Sequence, residues 1–210
     1  MEALYQITQG IREVLGEKDA ARDLAVRRSR ELIRHCSECI RAVHRREWDE
    51  VDRKLAVIQS AGEEMRAGVA GHPDLYHTGY TQDAFKELVE AHITAAIIRD
   101  QTLPTPALLG VPSSTYLLGM AEAATELRRF ILDLMRLDVS HSAEAERLLT
   151  WMDAIYEELV TFDFPDAITY GLRRQTDVVR GVLERTRGDL TTSLRQQRLQ
   201  DALQRLESRL

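Results

Sequence analysis

Apolar residues recur at helical spacing along most of the chain, and the β-branched and aromatic runs that mark strands are missing. The pattern predicts a short helix over about residues 2–15 and a long one over about 17–44, whose apolar positions include Leu24, Leu32, Ile33, Ile40 and Val43. A third, over about 47–69, runs into the breaker "AGHPDLYHTGY". The next spans about 81–99; after the Pro-interrupted "LPTPALLGVPSS", Ser113 or Ser114 is placed to cap a helix over about 115–136. Ser140 or Ser142 starts another, ending near Phe162, and "DFPDA" sets Pro165 in the first turn of a helix to about Arg187. An amphipathic helix finishes the chain. No linker and no internal repeat divides it, so the pattern predicts one all-α domain over residues 1–210.

Composition supports this reading. Leu, Ala, Arg and Glu dominate, with only 5 prolines and 11 glycines, and 44% hydrophobic residues are enough for a substantial core. A net charge of −6 argues against a generic polyanion binder, so any nucleic-acid function needs its basic residues gathered on one surface. Cys36 and Cys39 lie inside the long helix without a second cysteine pair, which favours buried free thiols over a metal knuckle. The first residues carry neither a basic nor an apolar leader pattern, and no run of eighteen apolar residues occurs. The expectation is a soluble, cytoplasmic protein.

The unusual stretch is "FKELVEAHITAAII", residues 85–98. Glu87 and Glu90 lie within about 60° of each other on a helix that is apolar on both faces, where unpaired carboxylates are costly. A second acidic pair, Glu122 and Glu126, shares a helix face with Thr115, Gly119, Arg129 and Asp133, while Leu117, Met120, Ala124, Leu127 and Ile131 form the opposite, core-facing stripe. Packed together, the two helices bring four hard oxygen ligands to one place, as Mg²⁺ or Mn²⁺ requires. Spacing alone leaves the plainer alternative open: a solvated face with Glu122 or Glu126 paired to Arg129. The chain has no Gly-rich phosphate loop, no H-E-x-x-H and no G-x-S-x-G, and none of its six histidines follows a Glu by three residues as di-iron bundles need. His92 projects away from the acidic pair and reads as a packing residue. On the long second helix, Arg27, Arg30, Arg34, Arg41 and Arg45 fall within roughly 60° of one another. Asp23 and Glu38 interrupt that stripe, which is either a salt-bridged solvated face or a phosphate-tracking surface.

Two stretches, "FKELVEA" at 85–91 and "STYLLGMAEAATELRR" at 114–129, resemble the motifs F-Q-E-x-V-E-A and x-D-Y-L-L-G-x-x-D-x-x-G-E-L-x-R of the translin family. Weaker similarity runs from "SRELIRHCSECIRAVHR" to "TDVVRGVLERTRGDL", nearly the whole chain. The likeness is to the branch of translin-associated factor X, in an archaeal-type member. It implies a bundle of about seven helices assembling into a closed homo-oligomeric shell, octameric or hexameric, that binds single-stranded RNA or DNA. It further implies a metal-dependent endoribonuclease whose acidic residues match at Glu87, Glu90, Glu122 and Glu126, with Mg²⁺ or Mn²⁺ as cofactor. Arg27, Arg30, Arg34 and Arg41 are the candidates for backbone contacts. Among the departures from the motif, Glu122 stands where Asp is usual, and Thr125 where Gly is usual. These departures keep a non-catalytic single-strand-binding oligomer in view as the alternative.

Overall fold

A computed structural model describes residues 1–136 and 143–208. Its helices are α1 (Glu2–His44), α2 (Trp48–Val69), α3 (Pro73–Tyr76), α4 (Gly79–Ile98), α5 (Pro106–Leu109), α6 (Ser113–Arg136), α7 (Ala143–Val160), α8 (Asp166–Thr169) and α9 (Leu172–Glu207). Among the described residues there is no strand, so the all-α expectation holds, with six long helices and three single turns in place of seven helices. No helix of the described residues is long and apolar enough to cross a membrane.

The boundaries differ from the sequence pattern where glycine suggests punctuation. Gly16 does not separate two helices: α1 runs unbroken for 43 residues, because an exposed glycine weakens a helix without supplying an alternative path for the chain. Gly188 likewise lies inside α9. The real break comes earlier, at Tyr170 (φ 51°) and Gly171 (φ 89°), whose left-handed backbone stops α8 and redirects the chain. The connection before α6 holds a turn of its own: Thr105 Oγ1 accepts from Leu108 N–H (3.2 Å), and Gly110 at φ 65° ends it. α6 then starts at Ser113 itself, so neither Ser113 nor Ser114 precedes it as a cap. The starts expected at Ser140 or Ser142 lie outside the described residues.

α1 and α2 form a hairpin, α4 packs on α1, α2 and α6, and α6 packs in turn on α7 and α9. α4 is therefore the central element. Its second half, Ile93–Ile98, is buried on every side, as expected for a helix with no polar face. Its C-terminal carbonyls are met from α7, where Arg147 Nη1 donates to Ile97 O (2.7 Å) and Nη2 to Ile98 O (3.2 Å). Leu32, Cys36, Val43, Phe85, Leu88, Val89, Leu127 and Ile131 belong to the main buried cluster. α6 buries more than the stripe expected of it. Thr115 and Gly119, on its acidic face, are buried too, because that face lies against α4.

Candidate metal centre

The closeness of α4 and α6 depends on one residue. A Cβ at Gly119 would stand 2.6 Å from Val89 Cβ and 2.7 Å from the Lys86 carbonyl oxygen, which real side chains do not tolerate. Nearby, Thr115 Oγ1 donates to Gln82 Oε1 (2.5 Å) and fixes the register of the two helices. At that separation Glu122, one turn beyond Gly119, faces Glu87 and Glu90, and a carboxylate oxygen of each lies within 4.8 Å of the other two.

Glu90 is 9% exposed, and no hydrogen bond or ion pair holds it among the described residues. At such separations two ionised carboxylates repel by roughly 3 kcal/mol at an effective dielectric constant of about 20. Burial, followed by Glu87, Glu122 and Glu126, pushes the Glu90 carboxyl up to about 8, with Lys86 working the other way. Glu87 is also raised, by burial first and then by Glu122. Lys86 is the cation of the cluster: Nζ stands 2.8 Å from Glu122 Oε1, and although burial opposes its charge, the bond to Glu122 leaves its pKa raised.

Glu126, the fourth carboxylate of the expected set, is not among the three that converge. Its Oε1 meets His44 Nε2 of α1 at 2.6 Å and Arg129 Nη1 at 3.3 Å. The other ring nitrogen, Nδ1, faces Asp133 Oδ2 at 3.1 Å, so the ring stands between two carboxylates of α6. Neither His44 nor Lys86 stands out as a site residue in the sequence. His44 closes a run of α1 and meets α6 82 residues later, with no local signal. Lys86 does carry one: it is one of three lysines among 28 basic residues, inside the acidic motif itself.

The donor set suits a hard cation. It is all carboxylate, without imidazole, and a six-coordinate Mg²⁺ with oxygens at about 2.1 Å places opposite ligands about 4.2 Å apart, close to the spread here. The thiol of Cys36, buried beneath the acids, is pushed up by burial and then by Glu87, so it stays protonated. Cys39 is raised by burial to about 12, and both remain free thiols. His92 turns its Nδ1 to Leu88 O (2.8 Å), away from the cluster.

On α1 the side chains of Arg27, Arg30, Arg34 and Arg41 are exposed. Arg34 pairs with Glu31 (3.5 Å) and Arg45 with Glu47 (2.8 Å), while Arg27, Arg30 and Arg41 have no ion pair among the described residues. The two interrupting acids are engaged elsewhere, Asp23 with Arg22 and Glu38 with Lys54. By helical geometry the stripe begins about 40° past His44, and its centre lies roughly opposite the buried positions Leu32, Cys36 and Val43.

A protein of Methanocaldococcus jannaschii, the uncharacterised MJ0175, is 33% identical over 195 residues, 92% of this chain and 85% of its own length. The crystal structure of AfC3PO superposes with a TM-score of 0.80 at 33% identity, over 89% of this chain and 96% of that one. The chain belongs to the translin family. Its resemblance extends to an AfC3PO–duplex RNA complex (TM-score 0.80, 32% identity, 89% and 95% coverage). For apo-NeC3PO the likeness, at 17% identity and a TM-score of 0.79 over 89% and 96% of the two chains, concerns the fold alone. No family model matches the chain. Within this translin-family fold, Glu87, Glu90 and Glu122 sit together between α4 and α6, and the arginine stripe lies on α1.

Proposed function

We propose that the protein is a Mg²⁺- or Mn²⁺-dependent endoribonuclease acting on single-stranded RNA, and on single-stranded DNA where it can bind it, within a homo-oligomeric shell of one-domain subunits. The observation that carries this reading is Glu90: a carboxylate nine-tenths buried, unpartnered among the described residues, with two more carboxylates within 4.8 Å. Such a group is stable only protonated or beside a cation. Glu87, Glu90 and Glu122 would hold a divalent ion, which when bound would supply a Lewis acid for the phosphodiester and lower the pKa of water at the site. Glu126, fixed by His44, orients that water. The water oxygen bonds to phosphorus, the P–O3′ bond breaks and the displaced proton ends on the leaving oxygen, giving a 5′-phosphate and a 3′-hydroxyl. Arg27, Arg30, Arg34 and Arg41 track the phosphates of the strand.

The complex of AfC3PO with duplex RNA supports RNA as the ligand class and also favours a second reading, a non-catalytic RNA-binding oligomer. End-labelled single-stranded RNA separates the two. The expected result is cleavage by wild type in Mg²⁺, stopped by EDTA and by Glu90→Ala while binding persists. Cleavage that continues undiminished in Glu90→Ala sinks the enzymatic reading. Binding by wild type without turnover in either metal leaves the second one standing. Replacing Arg27, Arg30 and Arg34 by Gln is expected to weaken binding and to flatten its salt dependence, the logarithmic slope falling by about 0.7 for each phosphate that is no longer neutralised.

A further inference from the structure

Three carboxylates carry a charge of −3 when ionised, and one divalent cation leaves them unbalanced by one negative charge. Lys86 stands where that charge is missing. It projects from α4 beside Glu87, its Nζ lies 2.8 Å from Glu122 Oε1, and its side chain is only 21% exposed. Among the described residues it is the basic group that lowers both Glu87 and Glu90, and Asp83 at 3.9 Å is its other acidic neighbour within ion-pair range. The acids beyond the trio have their own partners: Glu126 pairs with Arg129 and meets His44, and Asp133 pairs with Arg136 and meets the other nitrogen of His44.

We propose that Lys86 is the second positive charge of the acidic centre, making it a site for one divalent cation per chain, and that its ammonium group contacts the scissile phosphate. This rests on the endoribonuclease reading above. Glu87, Glu90, Glu122 and Lys86 together carry −2, which a single divalent ion neutralises and a second would over-charge. Glu122 is anchored to Lys86 by one oxygen, so the other is free for the ion, and its longer side chain is held in place by that bond. An ammonium group has three donors. One is used on Glu122, and the others are available to a non-bridging phosphate oxygen as charge grows there and the bond to the leaving oxygen breaks. No proton passes through Lys86. A compact ammonium on a flexible stem suits this place better than a planar guanidinium, and lysine stands here in a chain that otherwise uses arginine for 25 of its 28 basic residues.

The test is calorimetric titration of Mn²⁺ into wild type, Lys86→Met and Lys86→Arg protein, beside single-turnover cleavage of single-stranded RNA. Wild type is expected to bind one Mn²⁺ per chain. Lys86→Met, having lost a positive charge beside the acids, is expected to bind Mn²⁺ several-fold more tightly or to take a second ion, while cleavage slows by about a hundredfold. Lys86→Arg is expected to keep the single-ion stoichiometry and recover part of the rate. A purely structural lysine would not raise metal affinity while lowering the rate. Should Lys86→Met fail to fold, Lys86→Gln carries the same comparison. Two ions per wild-type chain, or a folded neutral variant with unchanged affinity and rate, overturns the proposal alone. A wild type that binds no Mn²⁺ overturns the metal-centre reading beneath it as well.

Discussion

Glu90 ties the chemistry of the centre to the stability of the fold. Unfolded, its carboxyl titrates near 4.5; folded, burial and then Glu87 and Glu122 raise it to about 8. Between those values the folded chain keeps a proton that the unfolded chain has lost, so the site's contribution to stability falls as pH rises and is lowest above pH 8. In EDTA, Glu90→Gln is therefore expected to be more stable than wild type at pH 9, by on the order of a few kcal/mol, with the gap closing below about pH 4.5. Denaturant titrations across that range check it, and parallel curves for the two proteins would contradict the raised carboxyl. Adding Mg²⁺ should stabilise wild type increasingly with pH and leave Glu90→Gln almost unmoved. At this scale Glu87 and Glu90 were legible in the sequence, because helical periodicity alone puts two acids on one face. The capture of Glu126 was not, since its partner His44 lies on another helix and no spacing rule connects them.

Between elements, the packing of α4 against α6 decides whether three carboxylates meet at all, and it depends on Gly119. Gly119→Val forces the helices apart or twists them. The expected result is a loss of about 1–3 kcal/mol in stability together with markedly weaker Mn²⁺ binding, read by thermal melts with and without the ion. A variant that melts earlier yet binds Mn²⁺ as well as wild type would show that the acids do not need this approach. Helix identity was largely readable from apolar spacing, and helix ends were not. Gly16 and Gly188 have the same composition signal as Gly171, but only Gly171 adopts the left-handed backbone that turns the chain. That choice follows from how α8 and α9 pack, which local sequence does not encode.

Across the whole molecule, the first seventeen residues stand apart. The earliest link from α1 to another element is Lys18 with Asp74 of α3, followed by Ala21 and Ala25 against Leu75. Ahead of it, Leu4, Ile7, Ile11 and Val14 form a stripe on one face, each more than half exposed, along roughly 15 Å of helix. In the shell proposed above, this stripe is the surface a second copy is expected to cover. Replacing Leu4, Ile7 and Ile11 together by Gln is expected to reduce the sedimenting particle while the core melts unchanged. An unaltered particle would place the interface elsewhere. The overhang has a further consequence. A sixteen-residue helical segment with two glycines, Gly10 and Gly16, is marginal in water by itself, so its hydrogen-bonded amides are expected to be protected mainly while something lies against them. If that copy covers the stripe, the length of α1 is expected to depend on protein concentration: on dilution, amide exchange along residues 2–17 should quicken while that of the core is unchanged.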